Sequence, residues 1–277
     1  MELPPVWIDP QLERDFFDTV VASFQNPSKF DSYTTPISWC ISLTGRPGTN
    51  KKHIVETLAT KYNLPLIDTI TAELGNTTQC IHHIDKAVEA VKEAVKDDSD
   101  VPLYLLILDK ADILVRFPDN DQIMLRSLQL GRLQIKGIVL IALFDELYPQ
   151  SQNVGATFRQ ECLFQFLDQF TCHMYACSES TSDFRASVVK WYVERFKHSE
   201  MVEVDYIAIA DATAYATVDD LRVVLQRTLL KALAAPKTEP LTTTLFAVPD
   251  GMSDEWRRLE SHYSEGMQRG PILKRQK

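Results

Sequence analysis

The first apolar pattern along the chain is that of an amphipathic helix. Asp9 and Pro10 are typical of an N-cap followed by a proline in the first helical turn. Apolar residues then recur at helical spacing, namely Leu12, Phe16, Phe17, Val20, Val21 and Phe24. This spacing predicts a helix of about four turns that precedes the core. We expect its aromatic stripe to pack against the core rather than to dock a partner.

The middle of the chain alternates short apolar runs with segments of helical spacing. The runs cover residues 37–43, 64–67, 103–108, 137–143 and 173–176. The helical patterns between them lie at residues 54–59, 77–96 and 122–133. Run 103–108 is apolar throughout, as expected of a parallel strand covered on both faces. The alternation predicts an α/β domain with a central parallel sheet and helices on both sides.

Beyond about residue 180 the pattern becomes purely helical. Candidate helices cover residues 184–196, 204–212 and 218–233, and one more covers 253–267. The stretch 235–240 contains Pro and Thr and reads as a linker. We therefore predict four regions: an N-terminal helical segment at 1–30, an α/β core at 31–178, a small helical lid at 179–235, and a linker, helix and basic tail at 236–277.

Composition narrows the classes of function. The 277 residues suffice for one large domain and a small appendage. The net charge of −9 argues against direct nucleic-acid binding, which needs clustered Lys and Arg. Five scattered cysteines favour reduced thiols. No apolar run is long enough to span a membrane, and the first residues lack the pattern of a signal peptide, so we expect an intracellular protein, cytoplasmic or nuclear.

A degenerate phosphate loop joins the first predicted strand to the next helix. Phosphate loops read G-x-x-x-x-G-K-[ST]: backbone N–H groups hold phosphates, the Lys reaches the β- and γ-phosphates, and the hydroxyl binds Mg²⁺. The corresponding residues here are Gly45, Arg46, Pro47, Gly48, Thr49, Asn50, Lys51 and Lys52. Asn50 replaces the second glycine, and Asn tolerates left-handed backbone. A plain strand-to-helix turn is the alternative interpretation.

Three segments together resemble the AAA family of P-loop ATPases. Residues 45–49 match the first half of the family's Gly-Pro-Pro-Gly-Thr-Gly-Lys-Thr loop, and 108–112 is similar to the apolar strand ending in Asp-Glu-Ala-Asp. Segment 212–221 resembles the lid motif Gly-Tyr-Ser-Gly-Ala-Asp-Leu. The resemblance covers residues 7–233. It implies a three-layer P-loop domain with a helical lid, ATP as ligand, and assembly with itself or with other AAA-type subunits.

The resemblance also assigns roles to individual residues. It places Asp109 and Lys110 in the second nucleotide motif as catalytic candidates, with Lys110 at the position of the catalytic glutamate. The polar sensor falls near Phe144 or Asp145, of which only Asp145 is polar. Arg159 stands where such proteins place arginine fingers, with a surface salt bridge as the alternative. No residue is assigned as a metal ligand.

Two of these positions argue against efficient hydrolysis. Lys110 beside polyphosphate is held protonated and cannot activate water, and Lys52 puts an ammonium where a hydroxyl should help to hold Mg²⁺. One hypothesis is that Lys52 and Lys110 replace Mg²⁺ around Asp109, so that ATP binds without the metal. The other is that Lys52 pairs directly with Asp109.

Three functions are implied by the resemblance. The first is a pseudo-ATPase that binds ATP, hydrolyses it poorly or not at all, and serves as a regulatory or structural subunit of a protein-remodelling assembly. The second is an active AAA ATPase that remodels protein complexes. The third is an inactive initiator or clamp-loader-like subunit of a DNA-associated complex. The sequence favours the first, because the catalytic glutamate position holds Lys110.

Overall fold

A computed structural model gives the structure of two compact units. It describes residues 4–25, 40–71, 104–112, 138–145, 172–176, 180–195, 204–234 and 251–268, and residues 82, 85, 86, 89, 93 and 248. One unit, called the sheet unit here, comprises Pro10–Gly45, Lys51–Ala176 and Gly266–Lys277. The other, called the helical unit, comprises Met1–Asp9, Arg46–Asn50 and Cys177–Glu265.

The sheet unit is built around a parallel sheet. Its described strands are β1 (Cys40–Thr44), β2 (Leu66–Thr71), β3 (Tyr104–Asp109), β4 (Ile138–Phe144) and β5 (Cys172–Tyr175). They lie in the order β2-β3-β4-β1-β5, and every pairing is parallel. The predicted α/β class with a parallel sheet is confirmed.

Burial of the central strands explains why they read as continuous apolar runs. Residues 105–108 of β3 and 139–144 of β4 are all buried, and so are residues 41–44 of β1. Strands whose two faces are both covered show no polar alternation. The core of the unit therefore lies along β3, β4 and β1.

The predicted N-terminal helix is confirmed, and it contains a wide turn. Helix α1 (Pro10–Phe16) continues through a π-helical turn (Phe17–Val21) into α2 (Ala22–Gln25). Leu12, Phe16, Val20 and Val21 are buried, whereas Phe17 is 39% exposed. The extra residue of a π turn rotates the next helical segment about the axis, so only part of the predicted stripe faces inward.

Helix α3 (Lys51–Lys61) follows loop residues 45–50 and ends in a Schellman motif. Its inward face carries Ile54, Val55, Leu58 and Ala59, as predicted. Asn63 is left-handed at φ 53°, Leu64 N–H donates to Ala59 O at 2.8 Å, and Asn63 N–H donates to Thr60 O at 3.2 Å. These two bonds satisfy carbonyls that a helix end leaves without partners, and they turn the chain toward β2. Farther along, residues 82, 85, 86, 89 and 93 are helical, within the predicted helix 77–96.

The described helices of the helical unit are α4 (Ser182–Arg195), α5 (Tyr206–Ala212), α6 (Val218–Ala234) and α7 (Met252–Gln268), the last of which continues beyond the unit. They share one apolar core made of Val188, Val189, Val193, Ile209, Ala216, Val218, Leu221, Val224, Leu225 and Trp256. Asp205 caps α5 by accepting from Ile207 N–H and Ala208 N–H. Within the described ranges, no helix combines the length and apolarity that a membrane crossing needs.

Candidate functional site

The strand order marks one point at the carboxyl edge of the sheet. From β1 the chain continues to β2 at one edge, and from β4 it continues to β5 beyond β1. The connections that leave the neighbours β1 and β4 therefore run in opposite directions. Open α/β sheets bind ligands at the carboxyl ends of strands at such a switch point. Gly45 and Asp145 come directly after these two strands, and Gly45 N–H donates to Phe144 O at 3.3 Å.

A buried lysine occupies this point. Lys51 is the first residue of α3, and its side chain is only 5% exposed. The ammonium pairs with Asp145 Oδ1 at 2.5 Å and donates to Gly45 O at 3.0 Å. The structure thus brings together three residues that the sequence singled out, Gly45, Lys51 and the sensor candidate Asp145.

Burial and the nearby carboxylates have opposite effects on the pKa of Lys51. Burial lowers the pKa of Lys51, and the charges of Asp145, Asp112 and Asp109 oppose that effect without cancelling it. Asp112 lies close to Asp145, whose N–H donates to Asp112 Oδ1 at 3.5 Å. A cation whose pKa is lowered although carboxylates lie near it gains stabilisation from any further negative charge.

The two substituted positions of the motifs lie outside this cluster. Lys52 is half-exposed, and its Nζ lies 3.8 Å from Glu56 Oε1, one turn along α3. This ion pair replaces the hypothesised pair between Lys52 and Asp109. Lys110 comes directly after β3 in a left-handed conformation, φ 56°, and is exposed. Asp109 itself is partly buried at the end of β3.

Loop residues 46–50 belong to the helical unit, where they form a tight turn. Thr49 N–H donates to Arg46 O at 3.3 Å, and Thr49 Oγ1 donates to the same oxygen at 2.9 Å. Gly48 has φ 85° and Asn50 has φ 56°. Asn50 thus adopts the left-handed backbone that the sequence argument required of it, and Pro47 is exposed at the turn.

The same turn is anchored through Arg46. Its buried guanidinium donates to Tyr215 O at 2.8 Å and to Asp220 Oδ2 at 3.1 Å, and it lies 3.9 Å from Glu260 Oε2. Asp220 also belongs to a capping box at the start of α6: it accepts from Thr217 N–H at 2.9 Å, and its own N–H donates to Thr217 Oγ1 at 3.1 Å. The segment that resembles the lid motif thus supplies two of the partners of Arg46, Tyr215 and Asp220.

Several residues of this arrangement escaped the sequence analysis. Asp112 belongs to the strand motif at 108–112 but was given no role, and the acidic partners of Arg46, Asp220 and Glu260, were not identified. The spacing Thr217-x-x-Asp220 is a capping-box signal that could have located the first turn of α6. Nothing in the helical periodicity marks Glu260 as buried.

Some sequence predictions remain untested. Arg159 lies outside the described residues, and so do the predicted helix 122–133, the linker 235–240 and the basic cluster 273–277. Cys172 is a free thiol, and burial raises its pKa, as expected of an unreactive reduced cysteine. In the part of the chain that the structure describes, no group of three or more His, Cys, Asp or Glu side chains is arranged to hold a metal ion.

Comparison with known proteins does not assign the chain to a family. No protein-family model matches the chain, and no curated protein is significantly similar to it. The chemistry of the site therefore has to be argued from its own residues.

Proposed function

We propose that this protein is an AAA-type P-loop protein that binds ATP through residues 45–52, hydrolyses it poorly or not at all, and acts inside the cell as a regulatory or structural subunit of a protein-remodelling assembly. The observation that carries the proposal is the buried Lys51 ammonium at the switch point of the sheet, with Asp109, Asp112 and Asp145 around it. A buried, incompletely compensated cation at the start of a helix favours an anionic ligand.

The geometry of Lys51 supports phosphate as that anion. Its ammonium has three donors, and Asp145 Oδ1 and Gly45 O are among their acceptors. The Asp145 side chain is 38% exposed, so water can solvate its carboxylate when it leaves Lys51. A triphosphate carries several negative charges and several acceptor oxygens. It can therefore replace the carboxylate of Asp145 on Lys51 and offer the ammonium several acceptor oxygens.

Among the described residues, the two motif positions Lys52 and Lys110 differ from the groups that hydrolysis of this type uses. In hydrolysis of this type a carboxylate orients the attacking water, and Mg²⁺ neutralises the developing charge. Lys110 stands at the carboxylate position, and its side chain is exposed. Lys52 stands at the hydroxyl position and pairs with Glu56. These residues do not fit a Mg²⁺ ion, so we propose that ATP is bound without it and that Lys51 provides the positive charge.

Equilibrium binding of a fluorescent ATP analogue, in Mg²⁺ and in EDTA, tests the proposal beside a phosphate-release assay on the same preparation. We expect similar binding in both buffers and no release. Lys51→Met should abolish binding, whereas Lys52→Met, the same change at the neighbouring half-exposed position, should weaken it less. Binding that is equal in wild type and Lys51→Met would contradict the assigned site.

The other outcomes separate the alternative functions. Phosphate release above background would indicate an active AAA ATPase and would overturn the interpretation of Lys110. If the analogue binds in neither buffer, the protein does not act through ATP, and the domain serves as a scaffold.

Size-exclusion chromatography with and without ATP tests the proposed partners. A shift to a larger species with ATP indicates self-assembly. An unchanged elution volume indicates a subunit that joins other AAA-type chains. The DNA-associated role is then tested by adding such AAA-type chains.

A further inference from the structure

Arg46 is bound more extensively than a turn residue requires. Its side chain is 5% exposed, and its two terminal nitrogens lie within 3.1 Å of Tyr215 O and Asp220 Oδ2. One of them also lies 3.5 Å from Trp256 O and 3.9 Å from Glu260 Oε2. The guanidinium thus connects loop 46–50 to residues at the start of α6 and on α7.

The carboxylate of Glu260 makes this connection costly to break. Its side chain is 6% exposed, so it cannot be solvated where it stands. Removing Arg46 takes a positive charge away from this buried carboxylate, and loss of one member of a buried ion pair is destabilising. Asp220 depends on Arg46 less, because its carboxylate also accepts from Thr217 N–H and Thr217 Oγ1.

The loop backbone is also covered by the first turn of α6. A Cβ placed on Gly48 would lie 2.7 Å from Thr217 Oγ1 and 2.7 Å from Asp219 Cβ, so no side chain fits there. Asp219 N–H donates to Gly48 O at 3.4 Å. The position of that Cβ is 3.4 Å from Asp219 Oδ2, which places a carboxylate beside the glycine of the loop.

From these contacts we propose that Arg46 is a positioning residue that holds loop 46–50 against the acidic first turn of α6, and that this closed form competes with polyphosphate for the loop. The inference rests on the proposed function. Negative charge from Asp219 opposes phosphate near Gly48, and an occupied loop has to leave Thr217 and Asp219. Arg46 therefore sets how readily the loop opens.

Binding of inorganic tripolyphosphate and of the fluorescent ATP analogue tests the competition. Asp219→Asn removes the opposing charge, and we expect roughly fivefold tighter binding of both ligands at low salt. Asp254→Asn is the matched control, because Asp254 also stands in the first turn of a helix and pairs with an Arg three residues on. The control should change affinity by less than about twofold, as exposed charges usually do.

Amide hydrogen exchange tests the closed form without any nucleotide. Asp219 lies in the first turn of α6, where N–H groups have no intrahelical acceptor, so its protection depends on Gly48 O. Asp220 N–H donates to Thr217 Oγ1 instead and serves as the internal control. In Arg46→Met we expect Asp219 N–H to exchange about tenfold faster, with Asp220 N–H unchanged. Arg46→Lys, which keeps the charge but loses the forked geometry, covers the case that the Met variant does not fold.

Each result supports or overturns the inference. The inference is supported if Asp219→Asn binds polyphosphate more tightly and Asp219 N–H exchanges faster in the Arg46 variants. It is also supported if, with that faster exchange, only Asp219→Asn binds the ligand. Tight wild-type binding with equal affinities in Asp219→Asn and Asp254→Asn overturns the competition and leaves the proposed function standing. If neither wild type nor Asp219→Asn binds polyphosphate, both proposals fall. An exchange rate of Asp219 N–H that the Arg46 variants leave unchanged overturns the positioning role.

Discussion

Two buried cations, Arg46 and Lys51, lie within the predicted phosphate loop at residues 45–52, one in each unit. Their charges are compensated differently. Arg46, in the helical unit, meets two backbone carbonyls and two carboxylates, one of them buried. Lys51, in the sheet unit, meets one backbone carbonyl and Asp145, a carboxylate that is more than one third exposed. One carboxylate beside the guanidinium, that of Glu260, is thus shielded from water, whereas the carboxylate of Asp145 beside the ammonium is accessible to water.

This difference separates a structural cation from an exchangeable one. Breaking the contacts of Arg46 takes a positive charge away from the buried carboxylate of Glu260, so the arrangement resists change. Losing Asp145 as a partner leaves a carboxylate that water can reach, and Lys51 then becomes available to another anion. A pKa of Lys51 that burial lowers despite three nearby carboxylates agrees with a cation that lacks full compensation.

The largest expected effect on stability is that of Arg46→Met. Because the change leaves Glu260 buried and without its guanidinium, we expect the free energy of unfolding of the helical unit to fall by about 3 kcal/mol. Thermal and urea denaturation monitored by circular dichroism measure it. Arg222→Met is the control, since Arg222 pairs with Asp219 at the surface of α6. Equal losses in the two variants would contradict the structural role of Arg46.

Gly48→Ala should cost somewhat less. The added methyl group meets Thr217 and Asp219 and also has to adopt φ 85°. Gly251→Ala separates the two causes, because Gly251 has φ 81° with nothing near its Cβ position. We expect a loss of about 1 kcal/mol in Gly251→Ala from backbone strain and about 2 to 3 kcal/mol in Gly48→Ala from strain and overpacking together. If the denaturation midpoints of the two variants coincide, α6 does not cover the loop.

Lys51→Met should change stability by less than about 1 kcal/mol. An apolar side chain of similar length relieves the burial of the ammonium, and Asp145 can be solvated by water. Buried Asp112 keeps the N–H of Asp145 as a hydrogen-bond donor. The same variant should lose affinity for the ATP analogue at least tenfold. Denaturation and binding titrations on one preparation measure both quantities. A stability loss as large as that of Arg46→Met would mean that Lys51 too is a structural cation.

The smallest effect concerns an ion pair at the surface of the sheet unit. Glu13 accepts from Lys61 and from Tyr62, and the bond with Lys61 is the main cause that lowers the pKa of Glu13. A carboxyl whose folded-state pKa is lowered adds stability at neutral pH and loses it as the pH falls through that pKa. Glu13→Gln should therefore lower the melting temperature slightly at pH 7 and by less at pH 2 to 3, which lies below the usual carboxyl pKa of about 4.3. A shift of equal size at both pH values would exclude the charge as its source.

The sequence predicted the parallel sheet because buried parallel strands have an unmistakable pattern, as residues 105–108 show. It also predicted that Gly45 and Lys51 belong to one site, since the loop spacing fixes their separation. It could not predict the partners of Arg46, because Asp220 and Glu260 lie far along the chain and acidic residues on helices usually face water. The outward orientation of Lys52 depends on Glu56 one turn later, a pairing that a motif comparison does not consider.

The membership of Arg46–Asn50 in the helical unit has a consequence for fragments of this protein. A chain that spans residues 177–265 alone would have the four helices but would bury Glu260 without the guanidinium of Arg46. We expect such a fragment to be less stable than the same helices in the full chain, because it also loses the bonds of Arg46 to Tyr215 O and Asp220 Oδ2. A synthetic peptide that contains residues 44–52, added in trans, should then bind the fragment and stabilise it.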